Sequence, residues 1–357
     1  MIVIEEAVLQ IEHIPAILYG EKRDGVYLFV HGKCGCKEEA KDFAELVCPL
    51  GWQVLGIDLP EHGSRKGETG GFDPWHAVPE LRAVMAYART RWSRIALRAN
   101  SIGAWFSMLA FQDGHLEQAL FVSPILNMAS LICSMMQWAG VTEEMLETKK
   151  TIRTSFGETL SWEYFRYAQS HPVENWSVPT AVLYGSLDNL TPRQEADDFA
   201  DRFNCDLTVA NGAEHWFHTP EQVAVLNEWT QQHLLPALMP EEILFFAGRP
   251  EELKLYEAFR SYILTMLRNV KIKVSKTQIT FSGKYGFAFV SLPRRKKDEG
   301  ILVSFGLNRH EGSERIWQAA EPYPGRWTHH TLVSRREQID RELMNWIKEA
   351  WWFANVK

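Results

Sequence analysis

Short apolar segments alternate with helical segments through the first 235 residues, and this alternation limits the folds open to the chain. Most of the strand candidates are continuously apolar, as strands buried on both faces are; they lie at 2–10, 13–19, 26–30, 52–57, 94–98, 118–123, 180–185 and 206–210. Helical patterns fall between them at 38–49, 76–92, 102–112, 192–203 and 220–234. Alternating strands and helices predict a doubly wound, mostly parallel α/β sheet.

The interval between the strand candidates 118–123 and 180–185 shows no clear strand and is rich in methionine and aromatic residues. An insertion of this length in an α/β sheet predicts a small helical cap, which we place at 124–178. Three of its apolar side chains are candidate pocket residues: Met128, Met135 and Trp138. The competing interpretation is that each only packs the cap onto the body, because apolar residues at helical spacing are mostly core.

A different pattern begins after residues 236–243, which contain two prolines and predict a linker. A long helix and a final helix enclose alternating strand candidates at 271–281, 284–292, 300–307 and 326–333; the helices are placed at 250–268 and 336–353. Residues 244–357 therefore predict a small α+β domain. The charge balance supports a boundary there, since residues 241–357 carry net +6 and the preceding residues net −13.

Ser101 lies between the strand candidate at 94–98 and the helix that begins at Ile102. A strand, a sharp turn with small flanking residues and a helix form the context of a nucleophile elbow, which exposes a serine beside a base. The usual G-x-S-x-G pattern is altered, because Ala99 replaces its first glycine. The competing interpretation is an ordinary serine N-cap.

Two residues complete a possible triad at the ends of later strands. Asp188 follows the strand at 180–185, and His215 follows the last strand and precedes the last helix of this region. Ligands bind at the carboxyl ends of strands in open α/β sheets, and the chain order Ser, Asp, His is that of α/β-hydrolases. His218 competes with His215 as the base. Taken singly, the aspartate is also compatible with a turn residue and the histidine with a structural hydrogen-bonder.

An oxyanion hole needs two N–H groups directed at the carbonyl oxygen on which negative charge develops. One candidate donor is the amide of Ile102, directly after the serine. The other lies in the glycine-containing loop after the strand at 26–30, where we assign the amide of Lys33, with Cys34 as the alternative. Cys34 and Trp216 are further candidate pocket residues. The direction of the Lys33 side chain stays open.

Five motifs in this order give residues 1–235 a resemblance to the α/β-hydrolase superfamily, close to serine esterases and serine aminopeptidases. The matching pieces are His31-Gly32, the turn at 58–64, and the turns that hold Ser101, Asp188 and His215. The resemblance implies a structural role for the turn at 58–64.

The C-terminal segment resembles an uncharacterised bacterial domain of unknown function. The pieces that carry this resemblance lie at 245–250, 274–276, 285–288 and 326–329, together with Asp340. This resemblance implies no activity.

These observations predict a serine hydrolase that cleaves carboxylic esters with small or medium acyl or aromatic groups. Cleavage of amides or thioesters by the same triad is an alternative, and so is a non-catalytic hydrolase scaffold used for binding. The expected partner is a small-molecule ester, while the oligomeric state stays open. No cofactor or metal is expected, because neither the five cysteines nor His329-His330 has partners at metal-ligand spacing.

The composition also bears on the compartment and on nucleic acids. No run of about 18 uncharged apolar residues occurs, so no membrane span is expected. The N-terminal residues lack a secretory pattern and the odd number of cysteines does not form a framework, which predicts a cytoplasmic protein with free thiols. The basic run at 294–297 is interpreted as a solvated loop, because nucleic-acid binding needs a larger basic face.

Overall fold

The computed structural model describes residues 4–112, 116–293 and 299–355. The chain divides into two compact units, Met1–Leu234 and Leu235–Lys357. The basic run predicted at 294–297 lies outside the described residues. Among the residues described, no helix combines the length and the apolar character that a membrane span requires.

An eight-stranded sheet forms the centre of the N-terminal unit. Its strands are β1 (Glu6–Ile11), β2 (Ile14–Tyr19), β3 (Gly25–Val30), β4 (Trp52–Ile57), β5 (Arg94–Asn100), β6 (Ala119–Val122), β9 (Thr180–Gly185) and β10 (Asp206–Ala210). Their order across the sheet is β1-β2-β4-β3-β5-β6-β9-β10. The six strands from β4 to β10 run parallel, and β1 and β2 add an antiparallel edge. The predicted doubly wound, mostly parallel sheet is confirmed.

Helices follow the strands in this unit. They are α1 (Ala40–Val47), α2 (Pro74–Arg89), α3 (Ile102–Ala110), α4 (Met128–Ala139), α5 (Glu143–Lys149), α6 (Trp162–Ser170), α7 (Arg193–Phe203) and α8 (Pro220–His233). Local chemistry sets several of their starts: the Asp73 carboxylate caps α2 and the Thr219 hydroxyl caps α8, each with a proline at the first helical position.

The register of the parallel strands places their carboxyl ends at one level. Val30, the last residue of β3, pairs with Ile57 at the end of β4 and with Ala99 near the end of β5. Strand β6 pairs with β5 and β9 in the same direction. The residues that directly follow these strands therefore gather along one edge of the sheet, where ligands bind in open α/β sheets.

The insertion between β6 and β9 contains the three helices α4, α5 and α6, as the predicted cap requires, but it also contains an antiparallel hairpin. Its strands, β7 (Thr151–Arg153) and β8 (Thr159–Ser161), pair only with each other. The statement that this interval lacks strands was therefore wrong. A strand of three residues is too short to show the alternating pattern by which a sequence indicates a strand. The turn between the two strands, and no such pattern, sets this hairpin.

An antiparallel six-stranded sheet forms the C-terminal unit, together with α9 (Pro240–Phe245), α10 (Pro250–Met266) and α11 (Arg341–Asn355). The strands are β11 (Lys271–Val274), β12 (Ile279–Ser282), β13 (Gly286–Ser291), β14 (Ile301–Leu307), β15 (Gln318–Tyr323) and β16 (Arg326–Val333), in the order β11-β12-β13-β14-β16-β15. Helix α11 packs on β13 and β14. The strand predicted at 271–281 is two strands joined by a turn, and β15 was not predicted, since most of its side chains are exposed.

The predicted linker at 236–243 is partly structured, because its last four residues begin α9. The carboxylate of Glu242 is fully buried and accepts hydrogen bonds from the Tyr256 hydroxyl and from Arg260 Nε, the latter at 2.9 Å. Arg260 Nη1 also donates to the carbonyl oxygen of Pro236 at 3.0 Å. A buried charge needs such partners, and here they fix the predicted linker to α10.

Candidate active site

Ser101 occupies a strained turn between β5 and α3. Its backbone dihedrals are φ 50° and ψ −124°, a conformation that costs energy in a residue with a side chain. Backbone hydrogen bonds hold the turn: the Ser101 N–H donates to Val122 O at 3.0 Å, and the Ser101 carbonyl accepts from the Ile125 N–H at 3.1 Å. The neighbouring strand β6 and the loop after it thus fix the serine at the edge where the strands end.

Close packing behind the serine explains the small residues around it. A Cβ on Gly103 would lie 2.4 Å from the carbonyl oxygen of His31, so α3 approaches the end of β3 more closely than any side chain permits. A Cβ on Gly32 would lie 3.1 Å from the Cβ of Ser101. Ala99, which replaces the first glycine of the motif, is buried within β5 in ordinary strand pairing.

The three residues predicted as a triad lie in a continuous hydrogen-bonded chain. Ser101 Oγ is 2.8 Å from His215 Nε2, and His215 Nδ1 is 2.7 Å from Asp188 Oδ2. The Asp188 side chain is completely buried, and its Oδ1 accepts hydrogen bonds from the N–H groups of Leu190 and Thr191 at 2.8 and 3.1 Å. Because a carboxylate accepts, Nδ1 carries the ring proton and Nε2 accepts from the serine hydroxyl.

His218, the alternative base, lies outside this chain. Its Nδ1 is 2.8 Å from the carbonyl oxygen of Trp216, and its ring stacks on the Trp216 indole at a centroid distance of 4.8 Å. The Trp216 side chain is exposed. The structure thus brings His215, and not His218, to Ser101.

Backbone contacts between two loops place the aspartate beside the histidine. Gly185 ends β9, and a Cβ there would lie 2.5 Å from the carbonyl oxygen of Ala213 and 2.4 Å from that of Glu214. The Leu187 N–H donates to the Ala213 carbonyl at 2.9 Å. Sequence reasoning gave Gly185 no role. The only available signal was its position directly after an apolar strand, in front of the aspartate turn.

His31 organises the loop at 31–35. It is fully buried, its Nε2 accepts from the Leu59 N–H at 3.0 Å, and its Nδ1 therefore donates to the Gly32 carbonyl, at 2.7 Å. Burial lowers the pKa of His31 to about 4, so the ring is neutral at ordinary pH. The sequence contained this residue as part of a motif, but it did not reveal that the ring links the loop to the turn after β4.

One predicted oxyanion donor follows Ser101 in the chain, and the other lies in the 31–35 loop. Ile102 is the first residue of α3, where backbone N–H groups have no partner within the helix. Lys33 follows Gly32 in the 31–35 loop, and its ammonium pairs with the Glu158 carboxylate. Cys34, the alternative donor, is exposed and has φ 67°. The Lys33 side chain thus points toward the hairpin formed by β7 and β8.

The candidate pocket residues of the cap differ in exposure. Met128 is buried in the core, Met135 is half-buried against it, and Trp138 is 52% exposed. The Trp138 ring meets Phe156 of the β7–β8 hairpin edge to face, with 6.1 Å between the ring centroids. Substrate contact stays a prediction for all three residues and for Cys34 and Trp216.

The turn at 58–64 has the structural role that the resemblance implies. Asp58 is completely buried; its Oδ2 accepts from Lys37 Nζ and from the Ser64 N–H, both at 2.9 Å. Burial alone would raise the pKa of Asp58, but the bonds from Lys37 and Ser64 bring it below its usual value. Within the described parts of the chain, no three His, Cys, Asp or Glu side chains form a group able to hold a metal ion.

A further serine–histidine pair lies in the C-terminal unit. Ser304 on β14 is directly opposite His330 on β16, and Ser304 Oγ is 2.6 Å from His330 Nδ1. No described carboxylate contacts the His330 ring. The sequence gave His329-His330 no partners at metal-ligand spacing, and no pattern in it connected His330 with Ser304.

Comparisons with known proteins found a family model and similar solved structures. Residues 244–354 match the family described as a domain of unknown function, DUF5655. No curated protein matches the sequence. Among solved structures, Est1E from Butyrivibrio proteoclasticus with ferulic acid bound is 20% identical, with a TM-score of 0.51, over 63% of this chain and 96% of that chain.

A protein of Agrobacterium vitis S4 described as a hydrolase is similar to the same extent. It is 15% identical, with a TM-score of 0.51, over 64% of this chain and 97% of its own. At these identities the likeness shows the fold. The chain therefore combines an N-terminal unit of the α/β-hydrolase fold with a C-terminal DUF5655 domain.

Proposed function

We propose that the protein is a serine hydrolase that cleaves carboxylic esters with small or medium acyl or aromatic groups. The observation that carries this proposal is the chain of hydrogen bonds from Ser101 through His215 to Asp188. All three residues stand in loops at the carboxyl edge of the parallel sheet, and the serine stands in a strained turn. Strain of this kind persists where the surrounding structure enforces it, commonly at active sites.

In the proposed reaction the Ser101 oxygen attacks the acyl carbon of the ester while His215 Nε2 takes the hydroxyl proton. The Asp188 carboxylate accepts the hydrogen bond from Nδ1 and stabilises the imidazolium that forms. The protonated His215 then gives its proton to the leaving alcohol, and the acyl group stays on the serine. Water attacks this ester with the same histidine as base, which releases the acid and restores the serine hydroxyl.

The negative charge on the carbonyl oxygen is greatest in the tetrahedral intermediates. The amide of Ile102 at the N-terminus of α3 is one proposed donor, and the positive end of the helix dipole favours the same charge. The amide of Lys33 is the other. Fixed donors of this kind accelerate the reaction because they need no reorganisation when the charge appears.

The proposed substrate class follows from the cap and its surroundings. Methionine side chains adapt to varied apolar shapes, and both Met128 and Met135 lie on α4. Trp138 and Phe156 add two partly exposed aromatic rings nearby. Est1E binds ferulic acid, an aromatic carboxylic acid, so aromatic esters belong in the first substrate panel.

A fluorophosphonate probe tests this proposal, because such probes react readily with an activated serine. We expect the intact protein to be labelled on Ser101 and to hydrolyse p-nitrophenyl acetate, and we expect Ser101→Ala and His215→Ala to lose both properties at an unchanged thermal midpoint. A panel of esters, thioesters and aminoacyl amides then separates the bond types. A folded protein that neither reacts with the probe nor cleaves any member of the panel would instead be a binding scaffold.

A further inference from the structure

Hydrogen bonds from Thr154 fix the backbone of Glu158 in the turn of the β7–β8 hairpin. The Thr154 hydroxyl accepts a hydrogen bond from the Glu158 N–H at 3.0 Å and donates to the Glu158 carbonyl at 2.9 Å. The Thr154 N–H donates to the same carbonyl at 2.8 Å. These bonds fix the backbone of Glu158, so its carboxylate extends from a defined point of the cap insertion.

That carboxylate pairs with the ammonium of Lys33 in the 31–35 loop. Gly32, the residue before Lys33, packs against the Cβ of Ser101. One ion pair therefore connects the cap insertion with the loop next to the proposed nucleophile. The connection joins residues that are 125 positions apart in the sequence, so chain continuity does not provide it.

The loop is constrained at both of its ends, by His31 and by Gly35, where a Cβ would lie 2.8 Å from the Cβ of His31 and 2.9 Å from Glu39 Oε1. Cys34 adopts a left-handed conformation with φ 67°, and the Gly35 N–H donates to the Gly32 carbonyl at 3.2 Å. His31 fixes the start of the loop, as its two ring bonds show. Between these two ends, the Lys33 side chain adds a contact outside the loop, its ion pair with Glu158.

The Lys33–Glu158 pair is half-exposed, with 46% and 38% of the two side chains accessible. An ion pair of this exposure changes an equilibrium by a factor of roughly 1.5 to 5, and salt screens it. Such a pair contributes little to the stability of a fold of this size. Applied to the 31–35 loop, the same factor changes the population of the conformation in which the ion pair forms.

We propose that Glu158 is a positioning residue: through Lys33 it holds the 31–35 loop in the conformation that directs the Lys33 amide at the oxyanion. This inference rests on the proposed function. It predicts that the pair acts on kcat, because the oxyanion charge is present in the transition state and absent from the ground state.

Charge-neutral and charge-swapped variants of the full chain test the proposal. Glu158→Gln is expected to lower kcat roughly 1.5- to 5-fold, with KM and the thermal midpoint unchanged. The double variant Lys33→Glu with Glu158→Lys is expected to recover most of the loss. Raising the salt concentration from about 0.1 M to 1 M shortens the Debye length from about 10 Å to 3 Å, so it is expected to slow the wild type and leave Glu158→Gln unaffected.

Glu147→Gln is the matched control. Glu147 is an exposed carboxylate on α5 of the same insertion, and no described cation pairs with it. Equal kcat in Glu158→Gln and Glu147→Gln, or no recovery in the swapped variant, overturns the proposal.

Hydrogen exchange of the 31–35 amides separates this proposal from the proposed function, because it needs no substrate. Faster exchange in Glu158→Gln, and not in Glu147→Gln, supports the positioning role even in a protein that the fluorophosphonate probe leaves unlabelled. Unchanged exchange in a labelled, active enzyme would leave the hydrolase assignment intact and reject the role of Glu158.

Discussion

Each unit of the molecule contains a serine hydrogen-bonded to a histidine, and the two pairs have similar lengths. Ser101 Oγ is 2.8 Å from His215 Nε2 in the N-terminal unit, and Ser304 Oγ is 2.6 Å from His330 Nδ1 in the C-terminal unit. The distance alone does not separate them. The surroundings of the two pairs separate them, and they favour the Ser101–His215 pair as the one proposed for nucleophilic catalysis.

Two differences matter. Ser101 stands in a left-handed turn before the N-terminus of a helix, whereas Ser304 lies inside β14 and is paired across the sheet with His330. The second nitrogen of His215 donates to the buried Asp188, which orients the ring and stabilises its charged form. Among the described residues no carboxylate does this for His330, and burial lowers the pKa of that ring, which disfavours its charged form. A serine–histidine contact is thus a common hydrogen bond, and its environment decides whether it can serve nucleophilic catalysis.

The largest expected effect is on kcat, and it distinguishes Ser101 from Ser304. Ser101→Ala is expected to lower kcat for p-nitrophenyl acetate by roughly 10⁴–10⁶-fold, because the nucleophile is lost. Ser304→Ala is expected to leave kcat unchanged. Both variants are measured by initial rates on folded protein. Loss of activity in Ser304→Ala with retained folding would mean that the C-terminal pair takes part in the reaction.

A smaller effect concerns the pH dependence of stability. The pKa of His31 is about 4 in the fold against 6.5 for the free side chain, so the unfolded chain binds a proton more readily. The contribution of His31 is therefore fully present above about pH 6.5 and is lost as pH falls toward 4, by about 3 kcal/mol in total.

Urea unfolding of the wild type and of His31→Gln between pH 4 and 7 measures this contribution. The difference between the two proteins is expected to shrink as the pH falls, since carboxylates titrate alike in both. A difference that is constant over this range would show that the buried ring does not set the acid sensitivity of the N-terminal unit.

The smallest expected effect is the loss of stability on substitution of Gly185, with Gly312 as the control position. Gly185→Ala is expected to destabilise the fold by about 1–3 kcal/mol and to reduce turnover, because its Cβ would meet the Ala213 and Glu214 carbonyls. Gly312→Ala in the C-terminal unit is the control, since a Cβ there meets no atom within 4 Å. Urea midpoints and initial rates measure both variants. Equal midpoints would show that the loop before His215 yields easily to an added methyl group.

The sequence predicted the strands of the parallel sheet closely, for a physical reason. A strand buried on both faces must be largely apolar, and β4 and β9 begin and end where that pattern does. The edge strand β15, with mostly exposed side chains, and the three-residue strands β7 and β8 have no such requirement and were missed. The burial of Glu242 could not be predicted from the sequence, because a charged residue in a proline-containing stretch is normally exposed to solvent.

The sequence by itself determined the sheet, its order of strands and helices along the chain, and the positions of Ser101, Asp188 and His215 at the ends of strands. Local periodicity and turn chemistry contain that information. Only the tertiary structure decided which ring nitrogen faces the serine, that the Gly185 backbone touches the loop before His215, and that Lys33 pairs with Glu158. These features depend on contacts between segments far apart in the chain, whose energies no local pattern records.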